Sequence, residues 1–169
     1  MTNKLTPTEV LNIAINQEIG GELFYSIAGE KVEDTILKSL LTRLAHDEKK
    51  HVFIFKTMLE NISSGELSAF NFDDNVQKYF SVLIDTIFET DSDEIDRVIE
   101  EMKSPLDILS YAIQKERDSL HLYFELNMII KSPETRNIIS DIINEEREHF
   151  FSLSNEYQKR KSSLIDGIK

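Results

Sequence analysis

The chain has 169 residues, 40% of them hydrophobic, enough for one domain with a sizeable core. Its formal net charge is −12, which disfavours nucleic acid and anionic membranes as partners because both would repel such a surface. Cysteine is absent, so disulfides, thiolate metal sites and catalytic thiols are excluded.

Residues 1–10 are polar and contain no apolar secretory core, and no run of about 18 apolar residues is available to span a bilayer. A soluble, cytoplasmic protein is the expectation. The first helix should start at Thr6, with Pro7 at its first position and Glu9 completing a capping box. It should run over 7–28 and bury Val10, Ala14, Glu18, Gly21, Tyr25 and Ala28 on one face. Gly20 and Gly21 are poor helix formers that would let a backbone or ligand approach closely.

Gly29, Glu30 and Lys31 read as a short link, followed by a second helix over 34–62. So short a link makes the two helices antiparallel neighbours. The apolar face of the second helix holds Leu37, Leu40, Leu41, Leu44, Phe55, Met58 and Leu59, with Glu48 and His51 in the same register. The stretch 63–103 changes character: a break at 63–65, a polar turn at 71–75, then two shorter amphipathic helices, over about 76–88 and 93–102. No chemistry is assigned to this insert. Ser104 and Pro105 open a third long helix, over 105–130, with Ile108 or Leu109, Ala112, Glu116, Ser119, Tyr123 and Leu126 inward. Ser132 and Pro133 open the fourth, over 133–162, with Ile138, Ile139, Ile142, Glu146, His149 and Leu153 inward. No strand pattern competes, so the fold class is all-α, a single domain over 1–169 built as a four-helix bundle.

The second and fourth helices each carry Glu-x-x-His, as Glu48/His51 and Glu146/His149, and residues three apart on a helix share a face. Glu18 and Glu116 each stand 30 residues before the motif glutamate of their own half. Glu18 and Glu116, Tyr25 and Tyr123, Glu48 and Glu146, His51 and His149 are all 98 residues apart. One Glu-x-x-His on a charged helix is usually a solvated face. Four glutamates and two histidines repeated within apolar stripes are costly to bury without a cation, and a dinuclear metal centre would neutralise them. The candidate ligands are therefore Glu18, Glu48, His51, Glu116, Glu146 and His149.

The neighbours sort less sharply. Buried tyrosine most often fills a core with its hydroxyl satisfied, and a role beside the ligands is the alternative for Tyr25 and Tyr123. His46 and His121 have no counterpart in the other half and read as surface or rim residues; Glu22 reads as a surface carboxylate. Glu145 could pair with His149 in place of Glu146, but parity with Glu48, which follows Asp47, favours Glu146. Lys49, Lys50 and Arg147 should point outward as solvated charges.

At these residues the sequence resembles the ferritin-like di-iron carboxylate proteins, and within them the rubrerythrins. The closer likeness lies in Ala14, Glu18 and Tyr25, repeated as Ala112, Glu116 and Tyr123, and it covers all four long helices. The resemblance implies a ferritin-like bundle whose long, partly helical crossover lets helices two and three run parallel. It implies Glu18 and Glu116 as terminal ligands, Glu48 and Glu146 as bridges, and one iron on each of His51 and His149. Two features depart from rubrerythrins. Ser119 stands where they carry a further glutamate, which bears on their redox-linked ligand switching. The cysteine-bearing rubredoxin domain they usually append has no counterpart, so electrons would come from a separate, rubredoxin-like donor.

The donor set is hard and mostly oxygen, suiting two iron ions, with manganese or zinc as possible occupants. The expected function is reduction of hydrogen peroxide or dioxygen by a di-iron oxidoreductase. The rivals are a ferritin-type ferroxidase or iron-handling protein, and a non-enzymatic bundle that binds metal or a partner. A homo-oligomer, in the simplest case a dimer, is the expected assembly.

Overall fold

The computed structural model describes residues 6–63, 74–83 and 90–166. Among them are six helices and no strand: α1 (Pro7–Lys31), α2 (Thr35–Ser63), α3 (Asp74–Leu83), α4 (Ser92–Glu100), α5 (Pro105–Ile129) and α6 (Pro133–Asp166). The four long ones are α1, α2, α5 and α6. None of the described helices is long and apolar enough to cross a membrane.

Helix starts follow the sequence closely. Thr6 caps α1 in a full capping box with Glu9 behind Pro7, and Ser104 caps α5 ahead of Pro105. The ends differ from expectation. Residues 29–31, read as a link, are the last turn of α1, and the connection to α2 is 32–34. Gly29 is buried, and a Cβ placed on it would meet Leu41 Cβ at 3.6 Å, so its lack of a side chain serves close helix packing and does not break the helix. Asp34 then starts α2, its carboxylate accepting from the Leu37 amide at 2.8 Å. Residues 74 and 75, assigned to a polar turn, already belong to α3; the expected stretches 64–73 and 84–89 lie outside the described residues. At the other end, α6 continues to Asp166 where 162 was expected.

The core is two apolar layers separated by a polar one. The first layer joins Val10, Leu11 and Ala14 of α1, Phe55 and Met58 of α2, Leu126 of α5 and Ile139 and Ile142 of α6. The second joins Phe24 and Ala28, Leu37 and Leu44, Leu109 and Ala112, and Leu153. Along α1 and α6 the chain runs from first layer to second, and along α2 and α5 from second to first. Since α2 ends beside the first layer and α5 begins beside the second, the crossover must travel the length of the bundle. Its helices mark the route: Phe80 of α3 is buried in the first layer, Ile95 and Ile99 of α4 in the second. Lys31 fastens α4 to α1 through Asp96 at 2.7 Å. Glu18, Glu48, His51, Glu116, Glu146 and His149 fall between the layers.

Candidate metal centre

All six of these side chains are at most 4% exposed, and together they come from the four long helices. The geometry groups them into two overlapping quartets. Glu18, Glu48, His51 and Glu146 each offer a ligand atom within 4.8 Å of the others, and so do Glu48, Glu116, Glu146 and His149. Glu48 and Glu146 belong to both. One terminal glutamate and one histidine complete each quartet, so the arrangement has the near two-fold character of the sequence repeat.

Both imidazoles present Nδ1 to the carboxylates. His51 Nδ1 lies 3.0 Å from Glu146 Oε1, 3.2 Å from Glu18 Oε2 and 3.5 Å from Glu48 Oε2. His149 Nδ1 lies 3.5 Å from Glu48 Oε1 and 3.7 Å from both Glu116 Oε2 and Glu146 Oε2. The opposite edges of the rings meet acids from the facing helix: His51 Nε2 is 3.1 Å from Glu145 Oε2, and His149 Nε2 is 3.5 Å from Asp47 Oδ2. Asp47 and Glu145 are themselves 98 residues apart, so the sequence did carry a signal for this pair. The same interval that singled out the ligands could have found it.

Gly21 allows α1 to approach this layer. A Cβ there would lie 3.3 Å from Glu48 Cγ, tight enough to displace the carboxylate shared by both quartets. Tyr25 donates its phenolic hydrogen to Glu116 Oε1 and so is both core and partner of a candidate ligand. Gln17 was not anticipated: buried beside Glu18, it donates through Nε2 to Ser119 Oγ at 3.0 Å. Its counterpart in the other half is Lys115, so the repeat gave no hint of it. His46 and His121 are exposed, as expected of rim residues. Lys49, Lys50 and Arg147 are exposed too; Lys49 lies 3.6 Å from Glu22, Lys50 2.6 Å from Asp47, and Arg147 sits over the Phe124 ring at 5.2 Å.

The protonation pattern shows how the layer balances charge by itself. Burial, reinforced by the charge of Glu48, drives Glu18 well above the usual carboxylate range, and burial with the charge of Glu146 does the same to Glu116. Burial would raise Glu48 as well, but the proton-bearing groups of Glu18, His149 and His51 outweigh it and hold it low. For Glu146, burial and the charge of Glu48 are outweighed by His149, His51 and Glu116, so it too is held below the ordinary value. Burial opposes the charged form of both histidines, yet Glu18 around His51 and Glu116 around His149 overcome it and push them up. The shifts run in opposite directions within the layer: the protonated form is favoured at Glu18, Glu116 and both histidines, and the charged form at Glu48 and Glu146.

That balance leaves buried polar atoms without partners. Glu18 Oε1, Glu116 Oε2, both oxygens of Glu146 and His149 Nδ1 are buried without a hydrogen-bond partner. Glu146 Oε1 is close to His51 Nδ1, but the alignment is not that of a hydrogen bond. Unsatisfied buried donors and acceptors cost about 1–3 kcal/mol each. They converge from α1, α5 and α6 on the two quartets, and a divalent cation in each would engage them. The residues present therefore fit a pair of metal ions.

A bundle of four long helices with a buried layer of four glutamates and two histidines defines a ferritin-like fold with a candidate di-metal site. The chain belongs to the Rubrerythrin family, whose model matches residues 9–103. Two solved structures share the fold over nearly the whole chain. One is a Thermotoga maritima protein described as ferritin-like and diiron-carboxylate, with a TM-score of 0.68 and 21% identity over 95% of this chain and 99% of that one. The other is a hypothetical protein from Pyrococcus furiosus, with a TM-score of 0.69 and 21% identity over 93% of this chain and 91% of that one. No curated protein matches the chain. The family match ends before α5, so for α5 and α6 the likeness rests on these two folds.

Proposed function

We propose that the chain is a non-haem di-iron oxidoreductase of the rubrerythrin kind, reducing hydrogen peroxide or dioxygen with electrons from a separate donor protein. The observation that carries this reading is the sharing of Glu48 and Glu146 between the two quartets. Carboxylates common to two sites hold two cations side by side, as a two-electron reduction needs. The oxygen-rich set suits iron or manganese best. Bound iron would supply one electron per ion, so that hydrogen peroxide, two electrons and two protons give two waters.

The chain's own residues do the rest. Glu18, Glu48, His51 and Glu146 would hold one ion and Glu48, Glu116, Glu146 and His149 the other. Glu145 and Asp47 keep the two imidazoles turned with Nδ1 inward. Tyr25 holds Glu116. The apolar layers above and below exclude water and keep these charges strong. The working assembly in this reading is a cytoplasmic homodimer that receives electrons from a rubredoxin-like partner.

Purified protein incubated anaerobically with ferrous iron should take up two ions per chain, and the reduced, loaded protein should consume peroxide stoichiometrically. Uptake below about one ion per chain would defeat every redox reading. The acidic surface, with a net charge of −12, favours a second reading, oxidation and handling of ferrous iron. Solution size separates the two, because storage needs a multi-subunit shell.

A further inference from the structure

Tyr25 and Tyr123 occupy equivalent places and make different contacts. Each lies two turns after the terminal glutamate of its own half, and each is at most 1% exposed. Tyr25 donates to Glu116, the terminal glutamate of the opposite half. Carried across the 98-residue repeat, that bond would run from Tyr123 to Glu18. It is not made. The Tyr123 hydroxyl and Glu18 Oε1 are both buried, and both lack a hydrogen-bond partner.

Phe55 packs against the Tyr123 ring with centroids 5.2 Å apart. Ser119, one turn earlier on the same helix, accepts from Gln17. A buried phenol without an acceptor is rarely left so by a native fold unless something else accepts from it. On the Tyr25 side the corresponding donor is spent on a candidate ligand.

We propose that Tyr123 is the substrate-facing tyrosine: its hydroxyl donates a hydrogen bond to an oxygen of hydrogen peroxide held at the Glu18 and His51 quartet, while Tyr25 is a positioning residue for Glu116. This rests on the reading of the layer as a di-metal centre. The two halves of the repeat are then functionally unequal, with the outside ligand entering the first. Glu18, His51 and Tyr123 are at most 1% exposed, so the ligand is limited to a few atoms, and bulky organic hydroperoxides are excluded.

The test uses azide, a three-atom anion whose terminal nitrogen accepts a hydrogen bond as a peroxide oxygen does. Wild type, Tyr123→Phe and Tyr25→Phe are loaded with iron, their metal content is measured, and azide is titrated by its charge-transfer absorption. In Tyr123→Phe, azide affinity should fall about tenfold, the worth of one hydrogen bond to a charged acceptor, with metal content unchanged. In Tyr25→Phe, azide affinity should stay within about twofold while iron is lost to a chelator about tenfold more readily. Equal effects of the two substitutions, loss of iron from Tyr123→Phe, or failure of loaded wild type to bind azide would each overturn the assignment. A wild type that binds azide through Tyr123 yet leaves peroxide intact would defeat the peroxidase reading and leave this ligand position standing.

Discussion

His51 Nε2 lies 3.1 Å from Glu145 Oε2, an acid carried on the helix of the other half and directly preceding a carboxylate shared by both quartets. The mirrored contact joins His149 to Asp47 at 3.5 Å. A carboxylate on the outer nitrogen of an imidazole fixes its tautomer and ring angle and raises its basicity. Each Glu-x-x-His motif is thus preceded by the residue that orients the histidine of the other motif. Glu145→Ala should lower affinity for the metal on His51 by about 10- to 100-fold, measured by competition with a chelator. Unaltered affinity would reduce the contact to a surface ion pair.

Metal loading should release protons. Burial raises the Glu18 and Glu116 carboxyls, and the carboxylates around His51 and His149 raise the imidazoles, so all four shifts favour the protonated form. All of these groups coordinate deprotonated, so filling both positions displaces protons. The sign is fixed: raised pKa values make protons the competitors of the cation, so apparent affinity rises with pH. Calorimetric titration in two buffers of different ionisation enthalpy reads the proton count directly. A buffer-independent heat would mean that the groups are already deprotonated.

The buried layer of glutamates and histidines was legible because its chemistry repeats. Glutamate and histidine inside apolar stripes are conspicuous, and the Pro7, Pro105 and Pro133 starts are local signals that no tertiary contact overrides. The end of α1 was not legible, because Gly29 reads as a breaker until the closeness of Leu41 is known. Nor was the length of α6: no glycine or proline stands between Lys159 and Asp166, and the Asp34 carboxylate that pairs with Arg160 is distant in sequence. The cross-wise partners of the histidines were visible only as an interval, since spacing along one helix cannot say which carboxylate faces it from another. The inequality of Tyr25 and Tyr123 is beyond any repeat, because the repeat makes them the same.

Two glycines of α1 should respond oppositely to alanine. At Gly29 a Cβ meets Leu41 Cβ at an ordinary 3.6 Å, so Gly29→Ala gains helix propensity, up to about 1 kcal/mol, and should raise the melting temperature. At Gly21 the same Cβ comes within 3.3 Å of Glu48 Cγ. The propensity gain there is set against a displaced ligand, so Gly21→Ala should leave metal-free stability nearly unchanged and weaken metal binding about tenfold. Parallel melting and chelator-competition curves on both variants check this. Wild-type metal affinity in Gly21→Ala would mean that Glu48 yields without cost.

The far end of α6 is tied to the start of α2 by Arg160, whose Nη2 lies 2.8 Å from Asp34 Oδ1 and whose Nε lies 2.6 Å from Glu156 Oε1. The hydrogen bond from Arg160 and the Leu37 amide hold the Asp34 carboxyl down at about 2. A depressed carboxyl stabilises the fold above its unfolded value, about 3.9 for aspartate, and loses that contribution as pH falls toward about 2. Asparagine caps a helix as well as aspartate does, so Asp34→Asn keeps the start of α2 and isolates the ion pair. The wild type should melt higher than Asp34→Asn at about pH 5, with the gap closing between about pH 4 and 2 as Asp34 takes up its proton. Melting curves of both proteins across that range measure it. A gap that persists at about pH 2 would assign the stabilisation to something other than the charge on Asp34.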